Sequence, residues 1–156
     1  MTNLPDGAPG PPLIGALLRM PVDAIRARLL ADLDAAGFTD LNGAHLPLLR
    51  WPGPAGRRPS DLAADAGVTK QAMNYLLGEM ERLGYLARRP DPDDRRSRRV
   101  ELTARGEAMT ATIRATVRRI ERELERELGA GPFAELKRAL ADLNRTSLVR
   151  GPAPGR

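Results

Sequence analysis

The residues whose side chains most clearly indicate a chemical role lie in the segment 91–99, where three aspartates and four arginines occupy seven of the nine positions. Over the longer stretch 88–99, six arginines and three aspartates leave a net charge of +3. Guanidinium groups bind phosphate oxygens in a forked geometry, and they gain from the negative potential of a narrow DNA minor groove. Aspartates beside them can hold arginine side chains extended, so that less conformational entropy is lost on binding. The segment therefore indicates a surface that binds a polyanion, and the alternative is a disordered charged loop.

Two short strands are predicted to present this charged segment at the tip of a hairpin. Apolar and polar residues alternate around Val100 and Leu102, which is typical of a half-buried strand. We place the strands at 85–89 and 98–102, with the charged residues in the turn between them. A disordered loop would leave this alternation unexplained.

A helix-turn-helix pattern immediately precedes the predicted hairpin, within residues 60–84. Ser60 is a favourable N-cap for a first short helix, and Gly67 supplies the tight turn that follows it. Thr69 is a favourable N-cap for the second helix. The second helix carries an apolar stripe, which consists of Met73, Leu76, Leu77, Met80 and Leu83.

The opposite face of the second helix carries side chains that can read bases. Within its first turn and a half lie Lys70, Gln71, Asn74 and Tyr75. Lysine contacts phosphates or guanine, and glutamine and asparagine can pair in a bidentate manner with adenine. Recognition helices use their N-terminal residues for such contacts. The alternative is a plain solvated face, which would more often carry pairs of Glu and Lys.

Composition narrows the class of protein further. A chain of 156 residues is expected to form one domain, and its 3% aromatic content leaves a core of aliphatic residues that favours helices. The net charge of +5 and the isoelectric point near 10.6 favour an anionic partner. The absence of cysteine excludes disulfides, a thiol nucleophile, a cysteine-based redox sensor and thiolate-bound zinc.

Other classes of site find little support. His45 is the single histidine, and few carboxylates lie near it in the sequence, so we predict no metal site and no cofactor. No catalytic motif occurs in a plausible context, so we predict that the protein is not an enzyme. The sequence shows neither a signal peptide nor a membrane-spanning apolar run, and a cytoplasmic location is expected.

Long amphipathic helices are predicted on both sides of the helix-turn-helix region. Apolar residues recur at helical spacing over 13–36, where Pro21 should kink or split the helix and Gly37 should end it. A short second helix is predicted over about 40–50. Two further helices are predicted within 104–146, after Thr103. Residues 1–12 and 147–156 are rich in proline and glycine and are predicted to be disordered tails.

These terminal helices carry more apolar surface than the compact region at 37–103 can cover. A second copy of the chain is the favoured partner for the helices at 13–36 and 104–146, which we assign to dimerisation. The alternative is a continuous helical bundle within one monomer.

The helix-turn-helix, the following MERLGYLARR and the segment DPDDRRSRRVELT closely resemble the multiple-antibiotic-resistance regulator (MarR) family of winged-helix transcription factors. The resemblance covers about residues 13–145 and includes the motif Leu102, Thr103 and Gly106. It implies an obligate homodimer that binds a pseudo-palindrome and is usually a repressor. It also implies that Arg96 enters the minor groove and that Asp94 holds it. Two departures are Pro21 and a longer proline-rich loop before Ser60.

The sequence thus predicts a mainly α fold with a small β-hairpin wing, in which a winged helix-turn-helix domain at 37–103 is joined to terminal dimerisation helices. The expected partners are double-stranded DNA, a second copy and, where control exists, a small-molecule effector between the dimerisation helices and the winged helix; no membrane is involved. The alternative function is a module for protein–protein contact or nonspecific DNA binding, which Gln71 and Asn74 disfavour. Asp94 is the predicted support of the wing, and the predicted DNA contacts are Ser60, Thr69, Lys70, Gln71, Asn74, Tyr75, Arg95, Arg96 and Arg98.

Overall fold

Helices precede and follow one two-stranded hairpin in the computed structural model, which describes residues 13–49, 54–94 and 96–150. Contacts divide the chain into two compact units, Met1–Thr116 and Val117–Arg156. The predicted mainly α fold with a small hairpin is confirmed. The elements are α1 (Ile14–Ala35), a 3-10 helix (Gly43–Leu49), α2 (Pro59–Ala66), α3 (Lys70–Arg82), β1 (Leu86–Pro90), β2 (Arg98–Leu102), α4 (Ala104–Leu128), α5 (Ala130–Leu143) and α6 (Ser147–Arg150).

The core of the first unit fixes which way α3 faces. Met73, Leu77 and Met80 recur at helical spacing on α3, and at most 1% of each is exposed. They pack in one cluster with buried residues of α1, α2, the hairpin and the start of α4. Burying each such side chain contributes roughly 1.5–3 kcal/mol. The opposite, polar face of α3 is thereby directed to solvent.

Helix α1 runs without a break through Pro21, so the helix is not split there, which was one of the two outcomes that the sequence predicts. Proline lacks an N–H group and removes one helical hydrogen bond, but the turns before and after it remain helical. Gly37 follows the end of the helix at φ +91, as predicted. The second half of α1 buries Leu29 and Leu33, whereas its start exposes Leu13, Ile14, Leu17, Met20 and Val22.

Of two local predictions before α3, one is confirmed and one is wrong. The short helix predicted over about 40–50 is present as a 3-10 helix over Gly43–Leu49, a geometry that suits short pieces and that accommodates Pro47 within it, and residue 50 lies outside the described residues. Helix α2 does not begin at a Ser60 cap. Its N-cap is Arg58 and Pro59 occupies the first position, because proline has the helical φ and needs no hydrogen-bond acceptor there. The Ser60 hydroxyl instead donates to Asp61 at 3.3 Å.

His45 in the 3-10 helix is buried, with 1% of the residue exposed. Its Nδ1 accepts the backbone N–H of Asn42 at 3.1 Å, so that Nε2 carries the proton of the neutral ring. Nε2 lies 3.3 Å from a carboxylate oxygen of Glu79. Within the described residues, no group of three or more potential metal-ligating side chains occurs.

The second unit contains the end of α4, together with α5 and α6. Gly129, at φ +87, separates α4 from α5. Phe133 is 9% exposed, and the Lys137 ammonium lies 5.6 Å from its ring centre and 2.7 Å from Glu121. The tail predicted to be disordered from residue 147 begins with the short helix α6, since no glycine or proline interrupts residues 147–150. The remaining tail predictions, at 1–12 and 151–156, lie outside the described residues.

Candidate nucleic-acid interface

The start of α3 depends on two local features that the sequence predicts, a glycine turn before the helix and a side-chain cap at its N-terminus. Gly67 adopts the left-handed conformation at φ 65, which turns the chain between α2 and α3. The Thr69 hydroxyl then accepts the Ala72 N–H at 3.1 Å and caps α3. The helix N-terminus attracts anions because its free N–H groups and the helix dipole both favour negative charge. Around it, the exposed polar side chains are Thr69, Lys70, Gln71, Asn74 and Tyr75.

The hairpin is held on both edges of β2. Strand β1 pairs antiparallel with β2, from Leu86 opposite Leu102 to Pro90 opposite Arg98. The other edge of β2 pairs with the loop before α2, since Val100 exchanges backbone hydrogen bonds with the loop at 2.7 and 2.9 Å. Strand β2 has the bounds that the sequence predicts, and β1 begins and ends one residue later than predicted. The loop connects the wing directly to α2.

The tip of the wing is stabilised through its backbone. The Asp94 carboxylate accepts the backbone N–H of Arg96 at 3.0 Å, and the Ser97 N–H bonds to the Asp94 carbonyl at 2.9 Å. Asp94 thus braces the turn that carries Arg96, whereas the family resemblance implies a contact with the arginine side chain. Arg96 and Arg98 are exposed, and Arg95 lies outside the described residues.

A buried carboxylate that sequence reasoning missed anchors the wing. The Asp91 side chain is 0% exposed, and its Oδ2 lies 2.7 Å from Arg58 Nε and 3.0 Å from Arg99 Nε. Its Oδ1 accepts the Asp93 N–H at 3.0 Å. Burial by itself raises the pKa of Asp91, but these hydrogen bonds and charges outweigh it and lower the pKa from 3.8 to about 2. Asp91 therefore ties the wing to Arg58, the N-cap residue of α2.

An open groove of about 590 Å³ lies between α3 and the wing. It brings together Ser60, Lys70, Asn74, Arg96 and Arg98 of the predicted DNA contacts. It also includes Glu81 and Arg88, which the sequence did not single out. Four of its lining residues are cationic and one is acidic, so the groove favours an anionic ligand.

Arg88 and Glu81 contact each other within this groove. The Arg88 Nη2 and Nε atoms lie 2.7 and 2.8 Å from Glu81 Oε2. The spacing of Asn74 and Glu81 by seven residues is a sequence signal that they share a face of α3. Nothing local in the sequence indicates that β1 would add Arg88 to that face.

A helix-turn-helix followed by an arginine-bearing hairpin defines a winged helix-turn-helix protein of the class that binds DNA. The family model described as the MarR family matches residues 39–97. Over 141 residues, the chain is 34% identical to the HTH-type transcriptional repressor Rv2887 of Mycobacterium tuberculosis, and the match covers 90% of this chain and 97% of that protein. The chain belongs to the MarR family of transcriptional regulators, which confirms the resemblance inferred from its motifs.

Other relatives match parts of the chain or its fold. The transcriptional activatory protein BadR of Rhodopseudomonas palustris is 41% identical over 75 residues, which are 47% of this chain and only 43% of that protein. The structure of the transcriptional repressor CouR bound to a 23-mer DNA duplex has a TM-score of 0.65 and 26% identity, and it covers 85% of this chain and 93% of CouR. The Mycobacterium tuberculosis protein Rv2887 in complex with salicylic acid has a TM-score of 0.59 and 33% identity, with 90% and 99% covered.

Proposed function

We propose that this protein is a transcriptional repressor that binds a pseudo-palindromic operator as a homodimer and is released by a small ligand. The observation that carries the proposal is the cationic groove between α3 and the wing, which places base-reading and phosphate-binding side chains on one surface. The DNA contacts proposed in this groove are Ser60, Lys70, Asn74, Arg96 and Arg98. The other contacts predicted from the sequence are proposed beside it, and of these Arg95 lies outside the described residues. We also propose a cytoplasmic location and no catalytic step.

Sequence-specific binding is favoured over DNA packaging by the side chains at the start of α3. A packaging protein needs chiefly lysine and arginine, because it contacts the phosphate backbone. Gln71 and Asn74 are exposed here and carry amide groups, which discriminate between bases in the major groove. A module for protein–protein contact remains the alternative. Capture of genomic DNA by the full chain, followed by sequencing, separates the two, because only the repressor would enrich a palindromic site.

A dimer is supported by apolar side chains that each unit leaves exposed. At the start of α1, the N-cap residue Leu13 and the helix residues Leu17 and Met20 follow helical spacing and are 82%, 52% and 72% exposed. In the second unit, Leu136 and Leu140 are 42% and 36% exposed. Exposed apolar side chains that cluster on a helix face mark an interaction site, and each unit carries such a face. A second copy would also present two recognition helices to half-sites about one DNA turn, roughly 34 Å, apart.

We expect light scattering at micromolar concentration to give the mass of a dimer, and Leu17→Glu to weaken that dimer because it introduces a charge into an apolar contact. Circular dichroism of the variant provides the control for folding. A folded wild-type chain with the mass of a monomer would contradict the proposed assembly.

Control by a small ligand is favoured because the chain has no cysteine, which removes thiol oxidation as a switch. The complex of the relative Rv2887 with salicylic acid supports a small-molecule effector. In the dimer, the two recognition helices can adopt an arrangement that fits DNA or one that does not. An effector releases DNA only if it binds the second arrangement more tightly than the first, because otherwise it does not change their populations.

The wing and α3 should contribute differently to DNA binding. Arg96→Ala is expected to weaken binding to all sequences about equally and to lower the slope of log K against log salt by about one, since the arginine contributes charge but little base information. Gln71→Ala is expected to cost roughly 1–3 kcal/mol at the operator and to relax preference at one position of each half-site. Salt titrations on the operator, on point-mutated operators and on random DNA measure both effects. Unchanged binding of Arg96→Ala to random DNA would contradict a role of the wing in groove binding.

A further inference from the structure

Asn74 is held by a row of contacts that runs along one side of α3. Arg88, on β1, donates from Nη1 to Asn74 Oδ1 at 3.2 Å and from Nε to Glu81 Oε2 at 2.8 Å. The second oxygen of Glu81 accepts the backbone N–H of Arg88 at 2.9 Å. Gly78 lies between the two α3 residues, and an added Cβ there would lie 4.0 Å from Arg88 Nη2. The guanidinium is thus fixed at one end by Glu81 and contacts Asn74 at the other.

The chemistry of arginine determines which way the Asn74 amide faces. A guanidinium group has five N–H donors and no acceptor, so only the amide oxygen can face it. The NH2 group of Asn74 is therefore turned away from Arg88. Asn74 is exposed and lines the groove, so this NH2 group is available to a ligand bound there.

We infer that Glu81 and Arg88 are positioning residues that make Asn74 a hydrogen-bond donor toward DNA, so that Asn74 selects keto base edges over amino base edges. In the major groove, guanine presents N7 and O6 as acceptors and thymine presents O4. Cytosine presents only an amino donor, and adenine presents its N7 acceptor beside an amino donor that opposes the NH2 group of Asn74. The inference rests on the proposed function. It replaces the bidentate pairing with adenine, which requires the amide oxygen as well as the NH2 group to face the base.

The test begins with the base preference of the full wild-type chain. The chain selects from duplexes randomised across a half-site, and the retained DNA is sequenced. The same selection with Asn74→Ala identifies the base pair that Asn74 contacts. It is the one position at which the variant has lost the base preference of the wild type. Because every base pair carries one keto and one amino base, duplexes that lack the base on one strand at this position first identify the strand that Asn74 contacts. On that strand the wild-type chain is expected to prefer guanine or thymine.

Arg88→Met removes the donors that orient Asn74 while keeping a side chain of similar length. It is expected to reduce discrimination at the Asn74 position about tenfold, because the freed amide can present either of its edges. The matched control is Arg89→Met, which removes the same charge from the same strand. Arg89 is 65% exposed at its side chain and lies 3.4 Å from Glu101, and its loss should leave preference at that position unchanged.

Asn74→Asp provides a second variant that keeps the contact with Arg88. One carboxylate oxygen would face the guanidinium, and the other would replace the NH2 group toward DNA. Since a carboxylate accepts from the cytosine amino group, the preference at this position is expected to shift from keto bases to cytosine.

Two results would overturn the inference while leaving the proposed function intact. One is a wild-type preference for adenine or cytosine on the strand that Asn74 contacts. The other is a loss of affinity that is the same for every DNA sequence and the same in Arg88→Met as in Arg89→Met. That result would make Arg88 a phosphate contact. A wild-type chain that selects no sequence would instead refute the proposed function itself, before any variant is measured.

Discussion

Replacement of Gly106 by alanine is expected to lower the free energy of unfolding by about 3 kcal/mol, because the added Cβ has no room. A Cβ at this position would lie 1.9 Å from the backbone oxygen of Tyr85 and 3.1 Å from a methyl carbon of Leu102. The nearer neighbour is backbone, which cannot rotate away as a side chain can. The same oxygen accepts the Thr103 N–H at 3.1 Å, so the start of α4 and the base of the hairpin would have to separate.

Tyr85 has little freedom to move aside. Tyr85 is 0% exposed, and its hydroxyl donates a hydrogen bond to Asp40. The Arg105 guanidinium lies 4.4 Å from the centre of its ring. Burial, together with the hydrogen bond to Asp40, raises the pKa of Tyr85 to about 12. Any shift that relieved the clash at Gly106 would therefore disturb a buried polar network as well as the apolar core.

Unfolding by urea, followed by circular dichroism, measures the effect of Gly106→Ala. Gly78→Ala is the matched control, because Gly78 lies inside α3 and an added Cβ there would only touch Arg88 Nη2 at 4.0 Å. Alanine in a helix interior is more favourable than glycine by about 1 kcal/mol, so this control should be more stable than the wild type. If Gly106→Ala unfolded at the wild-type urea concentration, the close approach of α4 to Tyr85 would be wrong.

The parts of the site that follow local rules could be predicted from the sequence. Thr69 caps α3 and Gly67 turns the chain before it, because capping and left-handed turns depend on residues within a few positions. The stripe on α3 is buried because apolar residues at helical spacing must face a core. The start of α2 also follows a local rule, because proline favours the first helical position and Pro59 occupies it, so the predicted cap at Ser60 is wrong.

The remaining parts depend on residues that are distant along the chain. In the sequence, nothing distinguishes Asp91 from the two other aspartates of the charged turn. Its partner Arg58 lies 33 residues away, and the packing of the wing against α2 brings the two together. The contact between Arg88 and Asn74 likewise spans 14 residues and depends on the pairing of α3 with the hairpin. Residue types and spacing showed that the wing carries charge, but only the tertiary packing shows which charges are buried and which remain for a ligand.

Asp91→Asn is expected to destabilise the protein strongly near neutral pH. The neutral amide removes the charge that Arg58 and Arg99 share, and loss of one partner from a buried ionic cluster leaves the others uncompensated. The wing should then detach from the start of α2, which would also weaken binding of DNA by the wing. Asp93→Asn is the matched control, because Asp93 is 73% exposed at its side chain and pairs with Arg99 alone among the described residues.

The effect of Asp91→Asn should depend on pH in a direction set by the pKa of Asp91. That pKa is lowered from 3.8 to about 2 in the folded protein, so the folded state binds fewer protons than the unfolded state between these values. The stabilisation by Asp91 is therefore complete above about pH 4 and is lost as the pH falls toward about 2. Urea midpoints of the wild type and of Asp91→Asn, measured from neutral pH downward, should converge over this range. A difference in stability that stayed constant through the acid range would show that Asp91 acts through its shape and not through its charge.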